Sequence, residues 1–330
     1  MSTTVKPPFS KLFDVVELHR HVLSHLSVRQ LREYGTLSHG AFSAARSLLG
    51  SCGNIDRILS RFFPENRTSY FRNVQRATGT LVAGSSALQL LVRQTYINAD
   101  LDLYVHRLSV GDLIAALEVG LHCHRIPTCK NSESANHDRY LACGVDEVQD
   151  WESPTGRVIQ VITTHSSPVQ TILRYHSTCV MNFVSASHAY SLYGQQTLED
   201  FISLYTRAGE DVVAVREKYE SRGWESIDYV FEDPSDTSEQ ANTDNAASMA
   251  DYDPFPPLSR MVGDSMTWIM RLRAPIYPSI EGSNGGATSH VMLDSRELAC
   301  RRESWALGYY PTGEAFVYAN PDVSYNDDDE

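Results

Sequence analysis

At 330 residues, 42% apolar and 21% charged, the chain has material for one to three folded units and the composition of an ordinary soluble protein. No window approaches eighteen uninterrupted apolar residues and the opening MSTTVKPPFSKLF lacks a secretory apolar run, which argues against a membrane protein and points to cytosol or nucleus. The net charge of -13 is local: nine acidic residues and no Lys or Arg fall between positions 224 and 259, and five more acids lie in the last ten residues. Without those fourteen, 27 acidic residues face 28 basic ones, so no basic patch calls for a nucleic-acid partner.

In chain order, apolar residues over 12–26 recur at helical spacing (Leu12, Val15, Val16, Val22, Leu23, Leu26), with His19 on the same face. Ser27-Val-Arg-Gln30 has the pattern of a capping box and predicts a second helix that Gly35 ends. A third helix is expected from Ser38, carrying Phe42, Ala45 and Leu49 inward and closing at Gly50. Ile55, Ile58, Leu59 and Phe62 form a fourth stripe, stopped by Pro64. The spacing of Val22, Leu23, Ser24, Leu26, Ser27 and Leu31, followed by Leu37-Ser38 and Phe42, resembles the F-box over residues 12–49. That resemblance implies docking onto a Skp1-like subunit of a ubiquitin ligase, with Leu23 and Leu31 in the apolar interface. The other reading of the same helices is a cap packed on the next domain.

After Gly79 the period changes. A short strand at 80–83, a Gly84-Ser85 turn, a helix over 86–92 and a strand over 101–105 are expected in that order, then a helix over 113–119. Segments 140–148 and 157–163 read as an antiparallel pair joined around Ser153-Pro-Thr-Gly156, Ser167-Pro168 as a helix start, and 178–184 as a further strand. The alternation predicts an α+β (mixed α/β) core sheet with flanking helices. Segment 224–260 is polar, acidic and proline-punctuated and reads as a disordered loop. The expected organisation is therefore a helical module at 1–65, a main domain at 66–223, the acidic loop at 224–260, an extension packing on the core at 261–318 and an acidic disordered tail at 319–330.

Six cysteines (Cys52, Cys123, Cys129, Cys143, Cys179, Cys300) show no C-x-x-C spacing, which argues against a disulfide framework or structural zinc. His122-Cys123-His124 with Cys129 matches no zinc pattern; buried thiols beside exposed imidazoles are expected there. Asn182 and Tyr190 to Tyr193 are polar groups among apolar ones and read as satisfied core positions rather than cleft lining.

Asp100-Leu-Asp102 is the candidate for chemistry, the other reading being Asp100 as a solvated turn residue and Asp102 in a structural hydrogen bond. Alternate residues of a strand share a face, so both carboxylates point to one side while Leu101, Leu103 and Val105 face the core. Paired aspartates are hard oxygen ligands for Mg2+ or Mn2+. Gly84-Ser85, entering a helix at Ser86, offers a close backbone approach and N–H donors to phosphate. Together these residues resemble the DNA polymerase β-like nucleotidyltransferase superfamily over residues 70–183. The resemblance implies a nucleotidyltransferase-like core, with Gly84, Ser85 and Ser86 holding the phosphates of a nucleoside triphosphate, and Asp100 and Asp102 catalytic and metal-ligating. The strand expected to supply a third acid, 157–163, offers Gln160, which can ligate a metal but cannot take a proton. Asp146, Glu147 and Asp150 on the preceding strand are alternatives. The resemblance leaves open an enzyme transferring a nucleotide to an acceptor and a degenerate fold serving as an F-box-type adaptor.

Overall fold

The computed structural model describes residues 15–127, 144–206, 210–227, 255, 259–273, 304–309 and 315–319. The Leu12 end of the first stripe, Cys129, most of the acidic loop and the acidic tail lie outside them. Among the described residues no helix is long and apolar enough to cross a membrane.

The chain opens with three helices, α1 (Val16–Ser24), α2 (Val28–Gly35) and α3 (His39–Cys52). The capping box forms at α2: Ser27 Oγ accepts the Gln30 N–H at 3.1 Å and Gln30 Oε1 accepts the Ser27 N–H at 2.9 Å. Leu23, Leu31 and Leu48 make a small core between the three helices. Val16 is 71% exposed, Leu37 74% and Phe42 53%, so Phe42 does not turn inward as its spacing suggests. Three short helices enclose too little space to bury every position of each stripe. Helix α3 also runs past Gly50, to Cys52, with Gly53 as its cap.

The stripe at 55–62 belongs elsewhere. Helix α4 (Asp56–Leu59) and the long α5 (Glu65–Thr78), which the sequence reading did not separate out, pack under the main sheet. Ile55, Ile58, Leu59, Phe62 and Phe63 share one core with Leu101, Leu103, Val105, Ile159 and Val161. A boundary at 65 would cut through this layer.

The main sheet uses β1 (Leu81–Ala83), β2 (Leu101–His106), β3 (His124–Arg125), β4 (Val145–Glu152), β5 (Val158–Thr164), β6 (Asn182–Val184), β7 (His188–Ser191) and a later strand, Trp268–Arg271, in the spatial order Trp268–Arg271, β7, β6, β1, β2, β5, β4, β3. β2 and β5 are parallel and the other pairs antiparallel. The fold is thus α+β, with a large, mostly antiparallel sheet. α6 (Gly84–Leu91) follows β1, and α7 (Val110–Ala115) continues as a π-helical turn, Ala116–Gly120. α8 (Pro168–Ile172) starts at its predicted cap, Ser167, whose side chain accepts from Val169 N–H. Segment 178–184 differs from expectation: a 3₁₀ turn, Thr178–Val180, precedes the short β6.

Alternation along β2 sorts its side chains. Leu101, Leu103 and Val105 enter the core beneath α4, α5 and α7, while Tyr104 joins a second core with Leu81, Ala83, Ile162 and Phe183 on the opposite face. On that second face α9 (Glu210–Glu220) is anchored by Tyr219, and by Trp224 just beyond it, against Leu88 of α6 and Cys179. Trp224 Nε1 donates to Thr197 O at 3.0 Å. The segment read as irregular from 224 begins with a strand: β9 (Glu225–Ile227) pairs in parallel with β8 (Ile202–Leu204). The segment also ends in a strand, β10 (Ser259–Met261), which forms a small sheet with β12 (Ser304–Tyr309) and β13 (Ala315–Ala319), and Trp268–Arg271, hereafter β11, edges the main one.

Candidate functional site

The register of β1 against β2 sets Ala83 opposite Asp102, so the chain turns from β1 into α6 beside that carboxylate. Gly84 takes φ +60°, and a Cβ placed on it would fall 1.9 Å from Asp102 Oδ2. Glycine is required twice over, for the left-handed backbone and for the carboxylate against its Cα. Ser85 Oγ lies 3.3 Å from Tyr219 Oη and accepts from Arg222 Nη1 at 3.2 Å. Ser86 is fully buried; its hydroxyl donates to Asp100 O at 2.8 Å and braces the first turn of α6 against the entry to β2. The hydroxyl of Ser86 is thus committed to Asp100, and Ser85 carries the one that reaches the cleft.

One row crosses three strands. Asp102 pairs with Gln160 across β2 and β5, and Gln160 pairs with Asp150 across β5 and β4, so all three side chains leave the same face of the sheet. Gln160 Nε2 donates to Asp150 Oδ1 at 3.1 Å. A carboxylate only accepts, so the amide nitrogen faces Asp150 and the amide oxygen is turned away from it. The other two candidate acids are engaged elsewhere: Glu147 with Arg125 at 3.0 Å, Asp146 with His165 at 3.5 Å.

The positive side of the cleft comes from α9 and its end, where Lys218 and Arg222 stand four residues apart. Arg222 stacks over the Tyr96 ring, 3.9 Å from its centroid. One hollow of about 590 Å3 is lined by Ser85, Tyr96, Asp100, Asp102, Lys218 and Arg222. A second, of about 240 Å3, shares Ser85, Asp102, Gln160 and Lys218 and runs toward Tyr104 and Tyr175, whose hydroxyls hydrogen-bond. Burial pushes the Asp102 carboxyl up to about 7; Asp100 adds to the shift and Lys218 opposes it. Asp100 is also raised, by burial first and by Asp150, against Lys218. Lys218 is lowered, by burial and then by Arg222, against the pull of Asp102 and Asp100.

Among the described residues no group of three or more His, Cys, Asp or Glu is placed to hold a metal ion. What the cleft has is a pair of aspartates whose ionisation is disfavoured in the bare protein, with a neutral amide beside Asp102. That set fits a divalent cation with oxygen preference, which would complete its shell with phosphate and water.

The structure brings Gly84, Ser85, Asp100, Asp102 and Gln160 together, as their order along the chain suggests. Lys218, Arg222 and Tyr96 join them in the cleft without having stood out in the sequence. The i, i+4 spacing of Lys218 and Arg222 was a visible signal for two cations on one helical face, but nothing local tells that this face meets Ser85. Asn182, Tyr190 and Tyr193 are core residues, and Asn182 Nδ2 donates to Cys179 O at 2.7 Å. Cys123 is buried between exposed His122 and His124, its thiol pushed up to about 12 by burial.

No family model matches the sequence, and no curated protein matches it. Among solved structures, one similar to this chain is that of the Thermotoga maritima CCA-adding enzyme complexed with tRNA, at 12% identity and a TM-score of 0.37. The match covers 53% of this chain and 42% of that one, so the chain spans less than half of that enzyme's length. A likeness this loose carries neither fold nor function, and the functional reading rests on the cleft itself.

Proposed function

We propose that the cleft binds a nucleoside triphosphate with Mg2+ or Mn2+ and transfers a nucleotide to an acceptor. The observation that carries this reading is the contact of Gly84 with Asp102: the Gly-Ser turn at the start of α6 and the acids at and just before the start of β2 form one surface, with Lys218 and Arg222 facing it. Acids alone hold a cation and cations alone hold an anion. Their juxtaposition suits a ligand that brings negative phosphates and a bridging metal together. Ser85, Arg222 and Lys218 would hold phosphate oxygens, and Asp100 and Asp102, with the Gln160 amide oxygen, the metal. When bound, the cation supplies charge neutralisation on the phosphates. The acceptor hydroxyl attacks the α-phosphorus, the bond to the bridging oxygen breaks, and pyrophosphate leaves. Gln160 takes no proton in that step, so the hydroxyl proton goes to an aspartate or to water.

Thermal melting with each nucleoside triphosphate, with and without Mg2+, tests the binding. At a hundred times its dissociation constant a ligand stabilises by about 2.7 kcal/mol, readily seen as a shift in melting temperature. That shift should require the metal and disappear in Arg222→Gln. A flat response to every nucleotide would leave the second reading, an F-box-type adaptor, which is favoured by one observation: the exposed apolar Val16 and Phe42 on the N-terminal helices and Leu37 in the turn between α2 and α3. A Skp1-like partner held by these residues would be lost in Leu37→Asp with Phe42→Asp. Leu23 and Leu31 are internal to the module and report on its folding instead.

A further inference from the structure

A separate hollow, of about 390 Å3, lies where the N-terminal helices meet the main domain. Its wall takes Arg20, Ser24 and Leu48 from α1 and α3, Arg57 and Arg61 from in and beside α4, and Gln89 and Arg93 from α6 and its end. Four arginines contribute to it, and no Asp or Glu does. Among the described residues Arg20, Arg57 and Arg93 form no ion pair with Asp or Glu.

Two buried donors there point the same way. Gln89 is 2% exposed; its Oε1 accepts from Arg61 Nη1 at 2.9 Å and from the Tyr96 N–H at 3.2 Å, while its Nε2 has no partner. Arg93 donates through Nη2 to Leu26 O, and its Nη1 is buried with no acceptor. Arg93 also adopts φ +59°, an uncommon conformation for an arginine. Unmet buried donors in a wall that carries four arginines and no acid ask for an acceptor with several oxygens and negative charge. The Arg61 guanidinium, through Nη2 to Tyr96 O at 2.7 Å and Ile97 O at 2.6 Å, holds the loop whose other side lines the catalytic cleft.

We infer that this hollow is a binding site for a compact polyanion carrying two or more phosphate groups, seated between the helical module and the main domain. Its volume is that of a small-molecule pocket, and guanidinium forks match phosphate oxygens in pairs. The assignment stands on these residues alone and does not depend on the chemistry proposed for the Asp102 cleft.

Calorimetric titration of the full chain with sodium tripolyphosphate, without divalent metal, tests it. Wild type should bind one equivalent, with a rise in melting temperature. Arg20→Gln with Arg57→Gln, both exposed and outside the core, should weaken binding at least tenfold while leaving ligand-free melting unchanged or higher. Arg222→Gln should bind as wild type does. The inference is overturned if wild type does not bind, if the double variant binds undiminished, or if Arg222→Gln abolishes binding, which would place the ligand in the other cleft. It is equally overturned if tripolyphosphate fails and a single-stranded oligonucleotide binds through the same arginines, since the partner would then be a nucleic acid.

Discussion

Asp102 is held where an ionised carboxylate is disfavoured, and the direction of that shift gives a pH dependence. Its folded pKa, about 7, lies above that of an ordinary aspartate, so the folded state binds the proton more tightly than the unfolded chain. The stability linked to that proton is fully present below the ordinary aspartate pKa and is lost as pH rises from there through about 7. Asp102→Asn should therefore match wild type near pH 4 in the presence of chelator and melt higher above pH 7. The difference should be on the order of 1–3 kcal/mol, at about 1.4 kcal/mol per pKa unit and discounted for partial solvation. Manganese should narrow the gap by stabilising wild type and not the variant. Equal melting curves at pH 8 with chelator would show that the Asp102 carboxylate is comfortably solvated.

At the scale of elements, the turn between β1 and α6 depends on a side chain from β2. Gly84→Ala should cost about 1–3 kcal/mol, part from the left-handed backbone and part from the collision with Asp102 Oδ2. The two parts separate in a double-mutant cycle. With Asp102→Gly already made, Gly84→Ala should retain the backbone cost and lose the steric one, giving a coupling of at least ~0.5 kcal/mol by denaturant unfolding. Additive effects would mean that Asp102 swings aside freely and that the turn and the acid pair are not one unit.

Across the whole molecule, one buried arginine ties distant parts together. Arg72, on α5, is 2% exposed and donates to Arg273 O at 2.6 Å and Ala186 O at 2.9 Å, with Asp56 of α4 at 4.0 Å. It thereby holds the chain just after β11 and the loop before β7 against the helical layer. Arg72→Met fills much of the volume but leaves two carbonyls without donors and a half-buried carboxylate without its cation. A loss of about 3 kcal/mol or more is expected, read as a lower denaturant midpoint. A loss below ~1 kcal/mol would mean that water replaces the guanidinium and that β11 is attached mainly by its ladder to β7.

Local chemistry made much of this legible in the sequence. The Ser27 to Gln30 capping box, the Ser167-Pro168 helix start and the alternation that buries Leu101, Leu103 and Val105 while turning Asp102 to the opposite face of the sheet depend on neighbours a few residues away. The order Gly84, Ser85, Asp100, Asp102 was likewise readable, because a strand, a turn, a helix and an antiparallel strand return the chain to its own starting edge. What only the tertiary structure decided involves partners more than a hundred residues apart, or faces that need an outside surface to be buried. Residues 55–63 have the same helical stripe as the helices before them, and only the presence of β2 and β5 above them assigns them to the main core. Phe42 matches the inward spacing of α3, yet the small module has no room for it. Lys218 and Arg222 come to Ser85 because Tyr219 and Trp224 anchor α9 on α6, a contact with no trace in local periodicity. The four arginines in the wall between the helical module and the main domain are scattered over positions 20 to 93, and their sharing one wall is a property of packing that composition and spacing do not record.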